Sequence, residues 1–406
     1  MQRMGLGMMV LVACMVVLLG LAQAYAAEPG VTDTEVKVGT SAGLTGPIAV
    51  WGNRMARLGP QGYFKYINER GGVHGRKLEQ VRLDDAYEPP RSVANHKRLI
   101  ESEKVFAILL SMGTPTVSAS LSTILDAKIP LIFPATGAHK WGYEYKPLVF
   151  QVGADYWHMS AVMVDYIIKE KGLKKWGIFY QDDDYGKDVL NGTITQLKKH
   201  GLEAVATETY KRGSIDVSGQ VAKLKNAGVE VVMLGTVYRE GAPFMREKEK
   251  IGWDVQTVGI APTATQTFVD LCGSSGIGHL NTFSNPQVDD VDRPGVVEFR
   301  TIMQKYFPDE KISEEALYGY IAAKTFVAGL QAAGKDLTRA SLIKGLESLQ
   351  DYDNGVTDKI TFSAERHQGV TASYISKIEE DTPDPKTNEK RYKYTKVTDW
   401  IKPAGY

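Results

Sequence analysis

Apolar and polar positions alternate in short bursts along this chain, and stretches of helix length separate the bursts. Val36, Val38 and Thr40 alternate with Lys37 and Gly39, which predicts a strand over 36–40. A glycine-rich turn bearing Gly43, Gly46 and Gly52 follows, and then a helix that runs to residue 68. Residues 77–84 read as a second strand, and 90–102 as a helix introduced by Pro89 and Pro90. Residues 105–110 are almost wholly apolar, 116–127 read as a helix, and 129–133 form another apolar run that stops at Pro134. Continuous apolar runs fit strands covered on both faces, so the pattern predicts a doubly wound parallel sheet.

The rhythm breaks over 136–150, a glycine- and aromatic-rich passage, and then restarts. Helices are expected at 158–171, 186–200, 217–227, 241–251 and 265–271, and strands at 176–180, 204–209, 229–235 and 255–260. From Arg293 the pattern changes to consecutive helices over 294–306, 314–333 and 338–349. A terminal hairpin pairs 373–379 with 392–397. The fold class expected is α/β, with two doubly wound, Rossmann-like parallel-sheet lobes.

Composition narrows the setting. Arg3 is the only charge in residues 1–26, residues 8–21 are apolar, and Ala24-Tyr25-Ala26 precedes Ala27. This reads as an export signal cleaved after Ala26, with a cut after Ala24 as the alternative. Residues 11–14 loosely imitate a lipoprotein box ending at Cys14, but the apolar run continues past it. No second apolar stretch approaches the roughly 20 residues a membrane helix needs, so no membrane insertion is expected after cleavage. Without Arg3, the 48 basic residues become 47 against 48 acidic ones, a net charge of −1 with no footprint for nucleic acid. Removing Cys14 leaves Cys272 alone, which excludes an intrachain disulfide.

Few chemical motifs survive inspection. Gly39-Thr40-Ser41-Ala42-Gly43 matches the G-x-S-x-G pattern of serine hydrolases, but such an elbow turns straight into a helix, and here the loop continues through Gly46 and Pro47. A secreted hydrolase using Ser41 is the rival reading from another class. Asp182-Asp183-Asp184 lacks the spacing of a calcium loop and reads as a helix cap or solvated loop. The seven histidines are scattered, and no nucleotide-binding glycine motif occurs, so neither a metal nor any other cofactor is expected. What remains is a set of loops at the carboxyl ends of strands, where open α/β sheets bind ligands. They carry Trp51; Gly113 and Thr114; Thr136 and Gly137; Asp155 and Tyr156; Tyr185; Tyr238; and Ala261. Glycines and threonines suit a carboxylate, and the aromatics suit an apolar body.

The stretches LTGPIAVWG (44–52), INERGGVHGRKLE (67–79), LDDAYEP (83–89) and DDDYGKD (182–188) occur in an order that resembles the periplasmic substrate-binding proteins of branched-chain amino acid ABC importers, the type I leucine-isoleucine-valine family. The resemblance implies two lobes joined by three crossovers, with ligand held between them. It assigns 27–153 plus about 285–355 to the first lobe and 154–284 plus about 356–406 to the second. It puts Trp51 against the ligand's side chain, Gly113, Thr114, Ala135, Thr136 and Gly137 around its carboxylate, and Tyr185 and Tyr238 in the cleft. It further implies a monomeric, non-enzymatic periplasmic protein that delivers a small molecule to a membrane permease, or a ligand-sensing subunit of a receptor. One position departs from the pattern. Amino-acid-binding members carry a glutamate for the ligand's ammonium where this chain has Ala261. The expected ligand is therefore a carboxylate with an apolar or aromatic body. An amino acid or amide held through Asp155 as a substitute amine partner is the alternative.

Overall fold

The computed structural model describes residues 28–385 and 387–402; the export signal and Cys14 lie outside them. Two α/β lobes are built on two sheets. The first contains β1 (Glu35–Ala42), β2 (Lys77–Asp84), β3 (Ala107–Leu109), β4 (Leu131–Ile132) and β5 (Val149–Phe150), in the order β2-β1-β3-β4-β5 and parallel throughout. The second contains β6 (Trp176–Gln181), β7 (Ala204–Tyr210), β8 (Val231–Gly235), β9 (Gln256–Gly259), β10 (Leu280–Phe283), β11 (Tyr374–Asp381) and β12 (Arg391–Lys396). Its order is β12-β11-β10-β9-β8-β6-β7, parallel from β7 to β10 and antiparallel where the terminal hairpin joins.

The apolar runs at 105–110 and 129–133 are buried over most of their length, but their pairing stops earlier than the pattern predicts. Leu110 at φ 55° and Phe133 at φ 51° turn the backbone left-handed immediately after β3 and β4. Bulky residues rarely adopt that conformation, so packing holds both turns in place. They aim the loops at 111–114 and 134–137 toward the second lobe. Two strands escaped the pattern. β5 lies in the aperiodic passage, and β10, with the sequence LNTF, shows too few apolar positions over four residues.

The helix after β1 begins earlier than expected, at Ala49, so Trp51 sits in its first turn rather than on a loop. Gly52 is needed there because a Cβ would lie 2.1 Å from the Gly43 carbonyl oxygen. Helices Pro294–Tyr306 and Glu314–Ala333 return to the first lobe, where Tyr320 meets Tyr63 edge-on with centroids 5.2 Å apart. The stretch 356–370, expected in the second lobe, packs its apolar residues into the first. Phe362 packs against Phe133 and Phe150 at 5.9 and 5.3 Å, and Val356, Ile360 and Val370 join the same core. The chain then crosses beside the earlier crossover, with Gly369 N–H donating to the Gln151 carbonyl and Val370 N–H to that of Val152.

Candidate functional site

The carboxyl ends of both sheets face each other across a cleft that holds a cavity of about 690 Å³, its mouth included. Trp51, Ala135, Thr136, Gly137, Tyr156 and Ala261 line it, drawing together predicted residues from both lobes. A smaller space of about 280 Å³ adjoins it and adds Gly113, Thr114 and Tyr185, sharing Trp51, Ala135 and Tyr156 with the larger one. Met55, Met159 and Phe283 add apolar wall. The Trp51 Nε1 donor is buried and has no hydrogen-bond partner among the described residues, which leaves it for an acceptor on a ligand.

The predicted anion loops do converge. Thr114 and Thr136 hydroxyls lie 2.6 Å apart at the start of helix Thr114–Asp126. Gly113, at φ 94°, faces the Tyr87 ring so closely that a Cβ would lie 2.6 Å from it. The Tyr156 ring lies against Gly137, close to Thr136 and Thr114, and burial pushes the ionisation of its phenol up to about 12. Tyr156 thus shares the donor nest that the sequence assigns to a carboxylate.

Three predicted residues play other parts. Asp155 is fully buried, caps helix Tyr156–Tyr166 through the His158 N–H, and bonds the rings of His158 and His139 at 2.7 and 3.3 Å. Although burial would raise its pKa, these histidine bonds hold it below the usual range. It does not line the cavity. Tyr185 donates to the Thr236 carbonyl at 3.0 Å, presenting its ring rather than its hydroxyl. Tyr238 stands behind Trp51 instead of facing the cavity.

Pattern reading missed the opposite wall: Ser284 and Asn285 after β10, and Glu314, Glu315 and Tyr318 on helix Glu314–Ala333. Glu314 and Glu315 read on sequence as acids complementing a helix N-terminus, which hides their second role. Only strand β10 could have flagged Ser284 and Asn285.

Ser41 lies within β1, fully buried, donates to Asp85 at 2.7 Å and accepts from Asn95, so the strand holds its hydroxyl inside the lobe rather than in the cavity. Asp183, from the acidic run, caps helix Asp184–Lys199. Lobe-to-lobe contacts close the cleft behind the cavity: Arg212 donates to the Tyr87 carbonyl at 2.6 Å, Gln181 to the Tyr87 hydroxyl at 3.2 Å, and the His139 N–H to Asp188 at 3.1 Å.

A family model described as periplasmic binding protein matches residues 35–383. The chain is 26% identical over 339 residues to Leu/Ile/Val-binding protein homolog 3 of Brucella melitensis biotype 1, covering 82% of this chain and 89% of that one. Among solved structures, a possible leucine/isoleucine/valine-binding protein from Rhodopirellula baltica superposes with a TM-score of 0.80 at 25% identity, covering 87% of this chain and 96% of the other. A fatty acid ABC transporter substrate-binding protein from Thermomonospora curvata shares the fold at TM-score 0.80 and 24% identity, over 92% and 95% of the two chains.

Proposed function

The chain belongs to the periplasmic binding protein family, whose members bind solutes rather than transform them, and from that premise we propose that it captures a small organic carboxylate with an apolar or aromatic body and delivers it to an ABC import permease. The observation that carries this reading is the polarity of the wall around the anion nest. Thr114, Thr136 and the Gly137 N–H supply donors, with Trp51 Nε1 nearby, whereas Ala261 and Pro262 supply no carboxylate and Asp155 is committed to two histidines. An α-ammonium beside that nest would be buried without a partner, which costs several kcal/mol. Tyr156 yields donors to the incoming carboxylate or adds its own hydroxyl to them.

Capture works by hinged closure about the crossing segments, with Trp51 and Tyr87 on one lip and Tyr185, Arg212 and Pro262 on the other. Contacts to ligand from both lobes favour the closed form, which a permease recognises. The protein acts as an exported monomer with no nucleic-acid partner. Thermal-shift measurements against α-amino acids and against amine-free carboxylates test the ligand class. Stabilisation by aryl or alkyl carboxylates is expected; tight leucine binding with no response to the second panel would sink the reading.

A further inference from the structure

The cavity has two chemically different ends. The space near the nest adjoins it through Ala135, Tyr156 and Pro262, and contains no charged side chain. At the other end it adjoins a further cleft through Ala264, Phe283 and Glu314. Glu315, next to Glu314 in the chain, also lines the cavity with its side chain only 3% exposed, and among the described residues neither of its carboxylate oxygens has a hydrogen-bond partner. Among the described residues its ion-pair partner is Arg54, whose Nη1 lies 3.5 Å away and also reaches the Thr267 hydroxyl of the other lobe at 3.5 Å. A buried carboxylate whose hydrogen-bonding capacity is unused is costly unless something donates to it. Glu314 lines the same end, where burial and the Glu315 charge push its pKa up to about 7. Two acids at one end of a ligand cavity repel a second carboxylate and attract a cation.

We propose that Glu315, with Glu314 beside it, is the recognition site for a cationic group, an ammonium or amidinium, carried at the end of the ligand remote from its carboxylate. The ligand class becomes an ω-amino or ω-amidino acid with an apolar or aromatic spacer. This deepens the proposed function and rests on its placing the carboxylate at the Thr136–Gly137 end. It also accounts for the missing acid at Ala261: the cation is bound across the cavity, not next to the carboxylate.

Calorimetry with matched probes tests it: 4-methylbenzoate against 4-(aminomethyl)benzoate, hexanoate against 6-aminohexanoate, with benzylamine and leucine as controls. The cationic member of a pair should bind about tenfold tighter or more. Glu315→Gln should abolish that preference. Arg54→Gln, which removes the competing cation, should enlarge the preference. If Glu315→Gln does not fold by circular dichroism, Glu314→Gln and Arg54→Gln carry the test, with opposite shifts expected. Equal affinity within each pair, or no response to any cationic probe, overturns the inference and leaves the carboxylate reading standing. Benzylamine binding that depends on Glu315 without any carboxylate binding retains the cation site and overturns the carboxylate reading. Leucine as the only binder overturns both.

Discussion

Trp51 of the first lobe and Tyr238 of the second meet with ring centroids 5.3 Å apart and planes tilted by 60°. Tyr238 packs in the same apolar cluster as Val50 and Trp51, so the tyrosine braces the tryptophan from behind. Trp51→Ala should weaken ligand binding by about tenfold to a hundredfold, since a tryptophan wall contributes on the order of 1–3 kcal/mol of apolar burial. Tyr238→Phe should cost less than about threefold, because the ring remains. Titration calorimetry with the tightest carboxylate from the panel reads both. Unchanged affinity in Trp51→Ala would remove it from the site.

Arg212 links the two lobes through Tyr87, donating to its carbonyl with the guanidinium 5.2 Å from its ring. Arg212→Ala should shift the ligand-free population toward the open form and raise Kd about fivefold, as closure loses roughly 1 kcal/mol. Small-angle scattering without ligand should show a larger radius of gyration, and saturating ligand should restore the wild-type value.

Asp188 accepts from the His139 N–H and the Trp157 indole, yet burial pushes it up to about 7, above its ordinary 3.8. A carboxyl whose folded pKa lies above its unfolded one contributes stability fully present below the unfolded value and lost as pH rises through the folded one. Stability should therefore fall between about pH 4 and 7 with a contribution of up to ~1.4 kcal/mol per pH unit from this group. Asp188→Asn should flatten that slope in urea titrations at successive pH values.

Phe362 fills the first-lobe core from a segment that returns late in the chain. Phe362→Ala should destabilise by about 3–5 kcal/mol, measured by chemical denaturation. A cost under about 1 kcal/mol would place 356–370 outside that core.

Ser41→Ala should leave ligand affinity unchanged and cost about 1–3 kcal/mol, because Asp85 loses a buried donor. Any esterase activity abolished by that change would contradict the binding-protein reading.

Period and punctuation alone determine the alternation of apolar strands and helices, the two α/β units and the loops that form the nest. The loops carrying Thr114, Thr136 and Gly137 were legible because glycine and proline mark strand ends locally. Strand ends at Leu110 and Phe133 were not, since left-handed turns at bulky residues are imposed by packing rather than by propensity.

Tertiary structure decided the rest. Nothing local in Val356, Ile360, Phe362 and Val370 distinguishes one lobe's core from the other, because apolar residues pack wherever a matching surface arrives. Asp155 could serve an amine until His139, sixteen residues away, is seen bonded to it. Glu314 and Glu315 open a helix as many acids do, and only the fold brings them opposite β10 to face the cavity. Hydrophobic period is a property of neighbours in sequence; the partner of a buried charge is set by neighbours in space.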